Sequence, residues 1–437
     1  VAVTERDAYA NLVLPGLLTD RGLTGRDAAF ATELAYGTLR ATGTLDAVLD
    51  ACVDRPLAEV DPRLRDLLRL GAYQLLRMRV PSHAAVSATV DLTRAVLTDG
   101  PSRFANAVLR RVAERELGDW LDRLTAGLPP DEALALRTSH PGWIVRAFAD
   151  ALGVPVTDPD LAAALAADDA PAGTHLVARP SRIDRDALVE MAGGVPGPWS
   201  PYAVRMGGGD PGALAAIRDG RAGVQDEGSQ LCALALAAVP LDGGPDRRWL
   251  DLCAGPGGKA ALLGSLAIGR GAEITAVEVA RHRVGLVTGA TAGLPVTVLH
   301  ADGRTVGSDP ALPAEGFDRV LLDAPCTGLG ALRRRPEARW RRRPEDVPAL
   351  TVLQRELLTA ALRGVRPGGV VAYVTCSPHR AETAGVVAEV LRSMPAARLL
   401  DARPYLPGVP DLGAGPSVQL WPHRHGTDAM FCSLLGR

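Results

Sequence analysis

Apolar positions recur at helical spacing through about the first 117 residues, as in Ala28–Leu39 and Leu64–Leu76, with few β-branched runs between them. Pro81 followed by Ser82 predicts a break and a helix cap, then an amphipathic helix over His83–Leu97 and another over Ser102–Glu116. Residues 1–120 therefore read as an all-α bundle. From Thr138 the pattern changes to short strands (His175–Arg179, Tyr202–Met206) alternating with helices (Asp184–Ala192, Gly212–Arg218), heavily punctuated by proline and glycine. This predicts a small α+β module over 138–235. Over 236–437, strands are predicted at Trp249–Cys253, Glu273–Glu278, Val296–His300, Phe317–Asp323 and Val370–Thr375. Helices are predicted from near Gly258, from Arg281 and over Glu345–Val365. That alternation predicts an α/β doubly wound, parallel sheet whose ligands sit at the carboxyl ends of its strands.

Composition narrows this picture. No apolar run approaches the ~20 uncharged residues that span a bilayer, and no basic-then-apolar leader opens the chain, so a cytoplasmic protein is expected. Val1 in place of Met fits either a fragment or a GUG start codon read literally. Six scattered cysteines with no CxxC pair argue against zinc and against a disulfide framework; His423 and His425 lack a third neighbour, and no metal is expected. The net charge of −2 predicts no general attraction to polyanions, but it hides two basic segments. Asp61–Arg115 holds ten arginines against five acids. Arg333, Arg334, Arg335, Arg339, Arg341, Arg342 and Arg343 surround Trp340 with Glu337 as their one acid. Arginines beside an aromatic suit phosphate contact and base stacking; a solvated face around a core tryptophan fits the same pattern.

One of the 48 basic residues is a lysine, Lys259, and it ends the run Asp251-Leu-Cys253-Ala254-Gly255-Pro256-Gly257-Gly258-Lys259. Where nearly every ammonium has become guanidinium, a surviving lysine marks a site for a compact, strongly hydrated charge. The glycine-rich turn after a first strand, with Glu278 ending the second, is the pattern of a nucleoside cofactor: backbone approaches the ligand and the carboxylate takes ribose hydroxyls. Asp302, ending the third strand, is placed for the base side. The turn lacks both GxGxxG and the GK[ST] of a P-loop, which disfavours NAD and ATP.

Two cysteines end adjacent predicted strands: Cys326 in Asp323-Ala-Pro-Cys-Thr and Cys376 in Val374-Thr-Cys-Ser-Pro. With the Gly-Gly-Lys loop and Gln225–Leu231, this set resembles the RNA cytosine-5 methyltransferases. The first half resembles the NusB fold in Arg69–Leu76, Val80–Val86 and Phe104–Arg111. Together the halves are similar to the ribosomal small-subunit methyltransferase B family, also called Sun or Fmu. The resemblance implies a NusB-like RNA-binding bundle, a small linker module and a Rossmann-like methyltransferase domain using S-adenosylmethionine on a cytosine of small-subunit ribosomal RNA, and a monomer is expected. It implies Cys376 as nucleophile, Cys326 as the residue of release, Asp323 at the pyrimidine edge and Lys259 at the ring oxygen. Residues 253–259, Glu278, Asp302 and Asp323 would hold the cofactor, with Cys253 packing in its turn. A cysteine before the helix expected after Pro378 would have its thiol acidified by exposed amides. The family's usual loop carries alanine and threonine where this chain has Gly255 and Ala260. A transfer-RNA methyltransferase and a non-catalytic RNA-binding assembly or antitermination factor stand as rivals. A DNA methyltransferase would use the Pro-Cys thiol and have no need of Cys376.

Overall fold

The computed structural model describes residues 2–306 and 316–437. They form two compact units, one of residues up to Pro171 with Leu332–Arg342, the other of Ala172–Ala331 with Arg343–Arg437.

The first unit is helical. Helix Pro62–Arg77 shows why: Asp61 accepts from the amides of Arg63 and Leu64, and Pro62 fits the first turn, where no amide donor is needed. Its buried face (Leu64, Leu68, Ala72) meets Leu45, Leu49, Val108, Leu109 and Trp120 in one core. Helices Ser82–Val96 and Asp99–Val112 start one and three residues before their expected positions, and Ser82 is the first helical residue and does not cap. The strand–helix alternation expected from Thr138 begins only at His175. Residues 142–152 and 159–169 are helices of the first unit, the second again opened by an Asp-Pro pair.

The second unit holds two sheets. β1 (His175–Ala178), β2 (Val195–Pro196), β3 (Ala203–Arg205) and β4 (Ala222–Val224) make a small antiparallel sheet in the order β2-β3-β1-β4, covered by helix Arg185–Ala192 through Leu188. The large sheet contains β5 (Arg248–Asp251), β6 (Glu273–Glu278), β7 (Val296–His300), β8 (Phe317–Asp323), β9 (Val365–Thr375), β10 (Arg398–Leu400), β11 (Val418–Gln419) and β12 (Phe431–Gly436). Its order is β10-β12-β9-β8-β5-β6-β7, with β11 on β12. The five strands from β7 to β9 are parallel, as expected. The sheet as a whole is mixed, because β12 runs antiparallel between β9 and β10. Helices Glu227–Ala238 and Gly258–Ile268 cover one face, and Asp346–Gly364 and Ala384–Ser393 the other. Both faces of β8 and β9 are thus buried, which is why they read as unbroken apolar runs. No described helix is long and apolar enough to cross a membrane.

Candidate active site

Parallel neighbours end on the same side of a sheet, and this brings the sequence-predicted residues together. Asp323 pairs with Val374 in the β8–β9 register. The ladder continues past the strands, with the amide of Ala324 donating to Val374 O and that of Gly330 to Cys376 O. The loops after β8 and β9 consequently run side by side, and Cys326 Sγ lies 3.4 Å from Cys376 Sγ. The Cys326 thiol is pushed well above its ordinary range, first by its hydrogen bond with Cys376 and then by burial. The α-helix expected directly after Pro378 begins at Ala384, behind the 3₁₀ turn Arg380–Glu382, so no long helix opens at Cys376. A dipole effect confined to the first turn is therefore not the way its thiol would be activated.

Lys259 is a helical residue, in the first turn of Gly258–Ile268, and is 9% exposed. Its Nζ donates to Asp323 Oδ2 at 2.7 Å. Burial pulls the ammonium downward, yet the charge and hydrogen bond of Asp323 hold it above its usual range. Lys259 therefore stays charged.

The glycine turn has no room to spare. A Cβ on Gly255 would stand 2.2 Å from Glu278 Oε2, the atom that accepts from the Gly255 amide at 2.9 Å. A Cβ on Gly257, where φ is +110°, would meet Ala290 at 2.7 Å. Glu278 Oε1 accepts from the Ala280 amide at 2.8 Å, so the carboxylate is fixed at the end of β6. Ala260 lies buried with Ala254, Ala276 and Val287, where a hydroxyl would face an apolar cluster. Asp302 is held mainly by Arg304, in a pair at 2.6 Å that keeps its carboxyl below the usual range. An open groove of about 830 Å³ runs beside it, lined by Arg304, Arg355 and Glu356 and by none of the cysteines or turn glycines.

Sequence reasoning passed over two residues here. Asp251, the last residue of β5, is 1% exposed, and neither carboxylate oxygen makes a well-formed hydrogen bond, the Cys253 amide acting on it only weakly. Burial, then the nearby charge of Asp323, pushes its carboxyl up to about 7. Gln225 Oε1 is likewise buried without a partner, and the side chain lies against Gly258. Unsatisfied buried acceptors beside a turn that excludes side chains are what a cationic, amide-approaching ligand such as S-adenosylmethionine would complete. The signal was present as Asp251 at the head of the motif; its lack of a well-formed hydrogen bond was not. Glu382 is the other omission, fully buried between the two cysteine loops.

The second basic segment corrects an expectation. Arg339 has no exposed surface: its guanidinium donates to the carbonyls of Arg40, Ser139 and Asp168 at 3.1–3.2 Å and to the Asp169 carboxylate at 2.7 Å, all in the first unit. Arg341 donates to the carbonyls of Val3, Asp7 and Ala8. Arg333 is buried, Arg334 and Arg342 are half-buried, and Arg335 and Arg343 are exposed, with Arg335 over the Tyr9 ring. An RNA contact through Arg339 is ruled out by its burial; a planar fork satisfies several carbonyls at once, which explains arginine there. In the first segment Arg69 is tied to Asp46 and Asp66, while Arg63, Arg77, Arg79 and Arg103 are exposed. His425 is a core residue, accepting from the Trp421 amide and contacting Pro410 O. Cys52, Cys232 and Cys432 are buried in apolar cores, and all six cysteines are free.

Residues 238–436 match the family described as 16S rRNA methyltransferase RsmB/F, and residues 1–114 match the NusB family. The chain is 56% identical to a Mycobacterium tuberculosis (strain H37Rv) protein whose name ascribes methyltransferase activity to it provisionally, over 100% of this chain and 94% of that one. It is 32% identical to the ribosomal RNA small subunit methyltransferase B of Salmonella enteritidis, over 94% and 93% of the two chains. Among solved structures, that of PH0851 superposes with a TM-score of 0.78 at 23% identity, over 96% of this chain and 93% of that one, and shows the same fold.

Proposed function

From the chain's membership of the 16S rRNA methyltransferase RsmB/F family, we propose that it methylates carbon 5 of a cytosine in small-subunit ribosomal RNA through a covalent adduct on Cys376. The observation that carries this reading is the thiol pair at 3.4 Å, beside the Lys259–Asp323 pair and the glycine turn. Carbon 5 of cytosine is a poor nucleophile, and addition of a thiolate at carbon 6 makes it an enamine. Cys376 forms that carbon–sulfur bond. Lys259 places a fixed positive charge where negative charge develops on the ring oxygen, and Asp323, held by Lys259, faces the ring edge. Bound S-adenosylmethionine supplies the electrophilic methyl group. Cys326 first releases its own proton to solvent; as a thiolate of high proton affinity it takes the carbon-5 proton while the bond to Cys376 breaks and Cys376 leaves as a thiolate.

The cofactor would be held by the turn 253–258, with Glu278 at its ribose and Asp251 and Gln225 at its cationic end. Asp302 then serves the base side only if Arg304 shifts or shares it. The exposed arginines of the helical half support RNA binding there. Bisulfite sequencing of ribosomal and transfer RNA, from cells with and without the gene, tests the reaction: loss of one protected cytosine in 16S rRNA is expected. Loss confined to transfer RNA would reassign the substrate, and no loss would overturn the reading.

Asp251 makes the cofactor assignment measurable by pH. Its carboxyl stands at about 7, against about 3.9 for an unperturbed aspartate, so the folded protein binds the extra proton between those values. Stability of the free protein should accordingly fall as pH rises from about 4 to about 7. A cationic α-ammonium needs the ionised carboxylate, so cofactor affinity should rise by up to about tenfold per pH unit towards pH 7 and weaken above about 8, where an α-amino group loses its proton. Asp251→Asn should flatten the acidic limb and weaken binding by about 2 kcal/mol or more. Calorimetric titration across pH 5.5–9 checks this; an unchanged acidic limb in the variant would remove Asp251 from the cofactor site.

A further inference from the structure

We propose that Glu382 is a positioning residue, setting the separation of Cys326 and Cys376 by binding the residue that follows each of them. The proposal rests on the reading above, in which both thiols work on one base.

Glu382 Oε1 accepts from the Thr327 amide at 2.8 Å and from Gln354 Nε2 at 3.2 Å. Its Oε2 accepts from the Thr327 hydroxyl and, at 2.7 Å, from Ser377 Oγ. Thr327 Oγ1 and Ser377 Oγ are themselves 3.1 Å apart. One carboxylate thus ties the loop after β8 to the loop after β9, one residue beyond each cysteine. Two further bonds anchor the clamp to the scaffold. Tyr373 of β9 donates its hydroxyl to Glu382 O at 2.6 Å, and Gln354 of helix Asp346–Gly364 donates to Pro325 O at 2.8 Å.

The choice of residue is the second argument. Glu382 is fully buried, and among the described residues its hydrogen-bond partners are all neutral. A carboxyl group is costly to bury without a charged partner, and so an expensive way to fasten two loops. What it offers is several acceptor sites on one rigid plane, enough for the amide and both hydroxyls at once. Its charge also adds to the effects of Cys376 and burial that keep the Cys326 thiol protonated. The two cysteine loops are then fixed in place by one group that touches neither sulfur.

A trivalent arsenical, phenylarsine oxide, bridges two thiols only when they are close, and so reads the sulfur separation without RNA. It would be titrated against full-length wild type, Glu382→Ala and Glu382→Gln, with a variant lacking both Cys326 and Cys376 as background. Single-turnover methylation, KM for RNA and cofactor affinity would be measured on the same proteins. Glu382→Ala should weaken bridging at least about fivefold and lower kcat by about a hundredfold, the scale of a misplacement near 1 Å, with KM and cofactor affinity unchanged. Glu382→Gln keeps the shape and one acceptor, and should restore bridging partly and kcat to within about tenfold of wild type. If Glu382→Ala does not fold, Glu382→Gln decides alone: wild-type bridging and kcat there would overturn the proposal, as would losses that follow melting temperature only. Weakened bridging in a protein whose wild type makes no 5-methylcytosine would instead sink the proposed reaction and leave the clamp standing.

Discussion

Cys376→Ala should abolish methyl transfer, by about 10⁴-fold or more, and leave no RNA-linked protein, whereas Cys326→Ala should accumulate protein covalently attached to RNA. The two thiols are 3.4 Å apart, so position alone does not tell them apart. The assignment comes from the family resemblance, in which the thiol of the Thr-Cys motif, Cys376, adds to carbon 6. Cys326, whose thiol is raised by its hydrogen bond with Cys376 and by burial, is a strong base for the carbon-5 proton once it has released its own. Without Cys376 no adduct forms. Without Cys326 the adduct forms, the methyl group is transferred, and the carbon-5 proton has no acceptor. Labelled RNA on denaturing gels separates the outcomes, and an adduct trapped by Cys376→Ala would reverse the assignment.

Lys259→Arg should lower single-turnover methylation by about a hundredfold or more, although arginine replaces lysine everywhere else in the chain. The ammonium lies in a buried slot, bonded to Asp323, in a helix whose neighbouring residues are packed. A guanidinium carries the same charge on a longer, planar group, so both the Asp323 bond and the point of charge move. Lys259 is 9% exposed, so overpacking by the larger side chain should also cost about 1–3 kcal/mol of stability. Lys259→Met, closer in volume but uncharged, should cost up to about 3 kcal/mol by leaving Asp323 unpaired, with part of its surface still in water. Rates, cofactor affinity and melting on both variants separate the effects. Wild-type turnover in the arginine variant would make the solitary lysine an accident of composition.

The arginine-rich segment shows where reading by composition stops. Seven arginines around a tryptophan have the same local pattern whether they face RNA or a protein core. Arg339 became a core residue because the carbonyls of Arg40, Ser139 and Asp168, some 170 to 300 positions away, converge on it. No spacing rule reaches that far. Glu382 was missed for the same reason: six residues after Cys376 it reads as an ordinary acid, and only the pairing of β8 with β9 brings Thr327 to it.

What the chain determined by itself was what depends on neighbours within a few residues. Apolar runs bounded by turns gave the parallel strands, Asp-Pro pairs opened helices, and glycines at Gly255 and Gly257 marked a turn too close for side chains. Because adjacent parallel strands end on one side, those local signals were enough to gather Lys259, Asp323, Cys326 and Cys376 at a single edge. The antiparallel insertion of β12 between β9 and β10, the unsatisfied carboxylate of Asp251 and the burial of Arg339 were decided only by tertiary structure. Each of these depends on which surfaces are removed from water and which groups then meet, and desolvation is set by the packing of segments far apart in sequence.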